Sequence, residues 1–161
     1  MNGLDHVAIL VSDLDAAVKL YRDVYGLELA EIEEAPSEKV RVAIFGHGRG
    51  RIELVSPSGP DSPMAKAIEK RGEGLHHVCF ETPDIAKALT VLHEMGVELL
   101  DSTPRVGLAG QIAFVHPRAC GGVLVELATP SGASSEPAGS RGSNVAYSRP
   151  DGGSMSVVAS L

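Results

Sequence analysis

Leu4-Asp5-His6-Val7 and Leu75-His76-His77-Val78 are two versions of one strand opening, and they decide the fold. Reading on from each, Asp13-Leu14 falls on Asp84-Ile85 and Ala17-Val18 on Ala88-Leu89. After a one-residue slip, Gly26-Leu27-Glu28-Leu29 falls on Gly96-Val97-Glu98-Leu99, and Ile52-Glu53-Leu54 falls on Val125-Glu126-Leu127. Two copies of one supersecondary unit therefore occupy residues 1–130. The period is too long, and the copies too few, for a solenoid.

Each copy reads β-α-β-β-β, an α+β pattern. In the first, Leu4–Val11 is rich in Val, Ile and Leu, as strands are. Ser12 or Asp13 is placed to cap a helix whose apolar stripe is Leu14, Ala17, Val18, Tyr21 and Val24. Gly26 ends it. Strands are predicted at Leu27–Glu33, Lys39–Phe45 and Arg51–Val55. In the second copy, Gly74–Phe80 is the strand and Thr82 the cap, with Pro83 at the first helical position. Ile85, Ala88, Leu89, Leu92 and Met95 form the stripe. Strands follow near Val97–Leu100, Gln111–His116 and Val123–Ala128, with Gly107–Gly110 read as a mobile loop. The modules span about 3–57 and 74–129, joined by a helix over 62–71.

Side chains on a strand alternate between faces. On the strands around His6, Glu53, His77 and Glu126, the aliphatic neighbours (Val7 and Ile9, Ile52 and Leu54, Val78 and Phe80, Val125 and Leu127) oppose the polar residue. Both copies place His on strand one and Glu on strand four, 47 and 49 positions apart. Taken singly, each is as readily structural: a strand histidine is usually a satisfied core or surface residue. Recurrence at matched positions singles them out. A carboxylate inside a sheet is costly unless paired or metal-bound. Two imidazoles and two carboxylates offer N/O ligands for one divalent ion. His76 adjoins His77 but falls on the opposite face. Cys79 shares the face of His77.

Composition narrows the function. The chain has 161 residues, 43% of them apolar, enough for one domain core. No apolar run is long enough to span a membrane. The N-terminus shows no secretory pattern, and two cysteines read as free thiols in a reducing, cytoplasmic setting. The net charge of −7 argues against nucleic acid as a partner. From Ser131 to the end the chain is rich in Gly, Ser and Pro, which predicts a disordered tail over 131–161.

The stretches Leu4–Ile9, Arg51–Pro57 with Asp61–Lys66, Gly72–Val78 and above all Phe114-Val115-His116-Pro117-Arg118-Ala119-Cys120-Gly121-Gly122-Val123-Leu124-Val125-Glu126-Leu127 resemble the vicinal oxygen chelate superfamily. Within it they resemble the methylmalonyl-CoA epimerases. The resemblance covers residues 3–128. It implies a cupped, mixed, eight-stranded sheet, a homodimer, and a metal held by His6, His77, Glu126 and Glu53. The metal would be cobalt, with manganese or zinc as alternatives. It implies an acyl-CoA substrate and epimerisation of (R)- and (S)-methylmalonyl-CoA through an enolate. Some members carry a glutamate base on the third strand; the matching position here is Val42, so that assignment does not carry over. Glu53 and Glu126, related by the repeat, are the expected pair of bases. Arg118 and Arg105 are the expected contacts for the coenzyme A phosphates. The same ligand set would also serve a glyoxalase I-type lactoylglutathione lyase, or a protein that sequesters a small ligand without turnover.

Overall fold

The two strand openings lie side by side. In the computed structural model, β1 (Gly3–Leu10) runs antiparallel to β5 (Gly74–Glu81) at the centre of an eight-stranded sheet of order β2-β3-β4-β1-β5-β8-β7-β6. The structure describes residues 1–108 and 110–130, so the predicted tail lies outside the described residues. Module one adds β2 (Leu29–Ala35), β3 (Val40–Phe45) and β4 (Arg51–Pro57). Module two adds β6 (Arg105–Gly107), β7 (Gly110–Val115) and β8 (Leu124–Pro130). In both halves the first strand pairs in parallel with the fourth, β1 with β4 and β5 with β8. The expected cupped mixed sheet is thus observed.

Two of the three α-helices cover the convex face. Helix α1 (Leu14–Lys19) is capped by Asp13, whose carboxylate accepts from the Ala16 amide at 2.9 Å; such a cap contributes about 1 kcal/mol. Leu14 and Val18 pack on Ala43, Phe45 and Leu54. The next turn widens: the Tyr25 amide reaches back to the Leu20 carbonyl, a π-helical step over Leu20–Val24. That step rotates Val24 off the expected stripe, leaving it 70% exposed. Gly26, at φ +71°, ends the segment. Helix α2 (Pro63–Arg71) links the modules and lays Met64, Ala67 and Ile68 on the apolar part of the concave face. Helix α3 (Ile85–Glu94) buries Ile85 and Leu89 on Ala113, Val115 and Leu127.

Two local expectations are corrected. The cap of α3 is Asp84, not Thr82: its carboxylate accepts from the Lys87 amide, while the Thr82 hydroxyl donates to the Asp84 carbonyl. Residues 97–100 form no strand beyond a bridge between Leu99 and Val115. Asp101 interrupts the edge, because its carboxylate takes the Phe114 amide at 2.9 Å that a ladder carbonyl would otherwise take. Pairing resumes only at Arg105, as β6. The Gly107–Gly110 segment is a hairpin turn in which those two residues pair, with Ala109 outside the described residues. Gly107 is required there, since a Cβ would sit 2.8 Å from the Ile112 side chain.

Candidate metal centre

The order β4-β1-β5-β8 sets one functional side chain per strand along the concave floor: Glu53, His6, His77 and Glu126. Glu53 Oε1 stands 3.4 Å from His6 Nδ1. His6 Nε2 faces His77 Nε2 at 3.0 Å, and His77 Nε2 lies 2.7 Å from Glu126 Oε2. His6, His77 and Glu126 are 6–7% exposed. These three gather their donor atoms into one group, and Glu53 stands one imidazole ring away, on the Nδ1 edge of His6. Arg51, 4.0 Å from the Glu53 carboxylate, draws it to that side.

Two residues that strand alternation turned away from the cup are inside it. The β1–β5 ladder has a bulge at each end of its central register. One extra residue falls on β1 between Leu4 and His6, and one on β5 between His77 and Leu75. The extra residues are Asp5 and His76. A bulge breaks the alternation of faces, so both line the cup beside the histidines that follow them. Asp5 accepts from His6 Nδ1 at 2.7 Å and also from the Arg51 guanidinium. His76 Nδ1 lies 2.8 Å from His77 Nδ1. Asp5 and the structural use of Arg51 were not foreseen. A signal existed in the repeated Gly-Leu-X-His of both copies, whose glycines take φ of +125° and +137° at residues 3 and 74.

The charges follow from this packing. Burial works against ionising Asp5, but the hydrogen bonds from His6 and Arg51 outweigh it and hold the carboxyl below its ordinary value. Burial disfavours the His6 cation, yet Asp5, Glu53 and Glu126 together raise its pKa above the usual imidazole value. Burial raises Glu53, with His6 and Arg51 in opposition. Burial, with the charge of His77, lowers His76 to about 4, which keeps it neutral. Cys79 is fully buried, and burial pushes its thiol far up; its sulfur lies near Asp5 and His6, beside the group formed by His6, His77 and Glu126.

The donor set fits a divalent cation. Asp5 is an acceptor, so the neutral form of His6 carries its proton on Nδ1 and presents a bare lone pair at Nε2. That lone pair and Glu126 both flank His77 Nε2. A single proton on His77 can satisfy only one of them, whereas a cation satisfies all three atoms. Ligands sharing an ion at bonds of about 2.0–2.2 Å lie roughly 3 Å or a little more apart, in line with these contacts.

The cup above the row encloses about 690 Å³. Val40, Val42, Val55, Met64, Ile112 and Phe114 form its apolar walls. Val42 is 2% exposed, so β3 offers no base from that position. At the mouth, Arg105 lies 5.2 Å over the Phe114 ring, which stands edge-on to His77. Arg105 also reaches Glu38 at 3.5 Å, from the opposite end of the sheet. Arg118 does not line the cup: both of its guanidinium contacts go to Glu98, at 2.6 and 3.2 Å, on the outer surface.

Comparison with known proteins agrees with this geometry. Residues 5–116 match the glyoxalase/bleomycin resistance protein/dioxygenase superfamily, and the chain belongs to it. Within that class it is similar to methylmalonyl-CoA epimerases. The mouse mitochondrial enzyme is 39% identical over 129 residues, covering 79% of this chain and 72% of that one. An ethylmalonyl-CoA/methylmalonyl-CoA epimerase of Cereibacter sphaeroides is 40% identical over 127 residues, covering 77% and 95%. A variant of the Streptomyces coelicolor methylmalonyl-CoA epimerase, solved with 2-nitronate-propionyl-CoA, superposes with a TM-score of 0.77 at 36% identity, over 84% of this chain and 99% of that one.

Proposed function

We propose that this chain is a metal-dependent epimerase that interconverts (R)- and (S)-methylmalonyl-CoA through an enolate. The observation that carries the reading is the row with a carboxylate at each end, Glu53 and Glu126, and two imidazoles between them. Inverting a carbon requires a proton to leave one face and return to the other, and two carboxylates on opposite sides are suited to that, each worth roughly 10²–10⁴-fold. A divalent ion (cobalt first, manganese or zinc as alternatives) held by His6, His77 and Glu126, with Glu53 as the fourth ligand, would supply Lewis acidity for the enolate charge.

The chain's own residues do the rest. The carbon to be inverted bears a thioester, a carboxylate and a methyl group, and the valine and phenylalanine walls suit that methyl and exclude water. Glu53 and Glu126 exchange the proton. Burial raises Glu53 above its ordinary value, against the pull of His6 and Arg51. Arg105, poised at the mouth, is placed to bind an anionic part of the coenzyme; Arg118 is paired with Glu98 outside the cup. Support for the enolate comes from the nitronate-bearing relative, since a nitronate, like an enolate, is planar at the reacting carbon and carries negative charge on oxygen. Relatives named for methylmalonyl- and ethylmalonyl-CoA differ by one methylene, a difference that pockets discriminate weakly. The two free cysteines suit a reducing cytoplasm, and the relatives' family suits a homodimer. Among the described residues no helix is long and apolar enough to cross a membrane.

The test is exchange of the substrate α-proton in D₂O, followed by NMR, with and without chelator. Exchange that stops on chelation and returns with cobalt supports the reading. Undiminished exchange in metal-free protein, or none in metal-loaded protein, overturns it. The Glu126→Gln variant should lose exchange from one enantiomer while retaining its metal.

A further inference from the structure

In each half of the sheet, the residue ahead of the ligand histidine is bulged into the cup and lies within hydrogen-bond distance of that histidine's Nδ1. Asp5 Oδ1 is 2.7 Å from His6 Nδ1, and His76 Nδ1 is 2.8 Å from His77 Nδ1. The two pairs occupy equivalent places in the repeat, and each is created by a one-residue register shift in the same ladder. We infer that Asp5 and His76 are paired positioning residues, each accepting the Nδ1 proton of the next histidine so that its Nε2 lone pair is turned onto the cation site. The inference rests on the metal reading above.

An imidazole can carry its proton on either nitrogen, and only one tautomer ligates through Nε2. For His6 the choice is closed, because Asp5 is anionic and can only accept. For His77 two arrangements compete. In one, Nε2 donates to Glu126 at 2.7 Å, and the cation site is blocked by that proton. In the other, Nδ1 donates to His76, and Nε2 is free. His76 is the only hydrogen-bonding side chain at His77 Nδ1 among the described residues, so the second arrangement depends on it. Its ring stands edge-on to that of His77, with centroids 5.0 Å apart at 73°, which aims the nitrogen and fixes the ring plane. The supports are unequal. Asp5 is itself held by the Arg51 guanidinium, whereas among the described residues the side chain of His76 has no hydrogen-bond partner besides His77. His6 is therefore the permanently set ligand, and His77 the one whose tautomer is settled by its neighbour. Partners of this kind usually govern metal affinity by ten- to a hundredfold.

The experiment pairs metal affinity with tautomer detection. Metal-free protein is titrated with Co²⁺ by calorimetry. Long-range ¹H–¹⁵N correlation spectra of the Zn²⁺-loaded protein report which imidazole nitrogen bears hydrogen. In wild type, His6 and His77 should both be protonated at Nδ1. His76→Leu should bind Co²⁺ roughly ten- to a hundredfold more weakly at an unchanged thermal midpoint. His76→Asn, whose side-chain oxygen can accept in place of Nδ1, should recover most of that loss. Wild-type affinity in a folded His76→Leu overturns the inference while leaving the metal site intact; His77 protonated at Nε2 in the loaded wild type overturns it and removes His77 from the ligand set. Should His76→Leu fail to fold, the tautomer spectrum of wild type and the affinity of His76→Asn decide in its place. A wild-type chain that binds no divalent ion defeats the metal reading itself, and the positioning role with it.

Discussion

His6 Nε2 and His77 Nε2 face each other at 3.0 Å across the centre of the sheet, although 71 positions separate them in the chain. The two come from equivalent places in the repeat and meet because β1 and β5 pair antiparallel. Each arrives with its own carboxylate one strand further out. The symmetry of the chain thus becomes the symmetry of the site.

Removing either end of the row should separate the two proton-transfer roles. With Glu53→Gln, the amide oxygen can still face the metal, but it cannot take a proton. Metal content should stay near wild type, while α-proton exchange from one enantiomer falls roughly 10²–10⁴-fold. Glu126→Gln should weaken proton removal from the opposite enantiomer. Single-turnover exchange on each pure enantiomer checks this; equal losses for both enantiomers in both variants would show that the carboxylates do not divide the faces.

Metal affinity should fall on acidification. The metal-free chain holds the His6 proton more tightly than free imidazole does, owing to Asp5, Glu53 and Glu126, and that proton must leave Nε2 before a cation binds. As pH drops through the raised His6 pKa, binding should weaken by about tenfold per pH unit for each proton displaced. Calorimetric titration in buffers of differing ionisation enthalpy measures the proton count directly. A pH-independent affinity contradicts the assignment.

Arg105→Ala should raise KM for the acyl-CoA several-fold, leave kcat nearly unchanged, and flatten the dependence of KM on ionic strength. The guanidinium sits at the mouth rather than on the floor, so it acts in binding. Arg118→Ala, by contrast, should leave KM unchanged, because that side chain is engaged with Glu98 outside the cup. Steady-state kinetics at two salt concentrations distinguish the pair.

Leu54 and Leu127 are the matched core residues behind Glu53 and Glu126, at 0% and 1% exposure. They pack in different clusters, under α1 and α3 respectively. Each Leu→Ala change should cost about 2–5 kcal/mol. The double variant should equal the sum within about 0.5 kcal/mol, since the clusters share no member. Chemical denaturation of the metal-free protein measures this, and a large departure from additivity would mean that the two halves are one packing unit.

The sequence by itself determined the repeat, the α+β order, the helix faces built on Leu14, Val18, Ile85 and Leu89, and which strand position of each half carries a histidine or a glutamate. These follow from spacing alone, because strand alternation and helical periodicity are fixed by backbone geometry. Only the tertiary structure decided the rest. Whether a strand bulges depends on the strand beside it, so Asp5 and His76 entered the cup against their parity. The partner of a charged side chain depends on which loops meet, so Arg118 went to Glu98 and Glu53 was drawn toward Arg51. The edge strand after α3 broke at Asp101 because a side chain competed for a backbone amide, a contest settled only once β7 lay alongside.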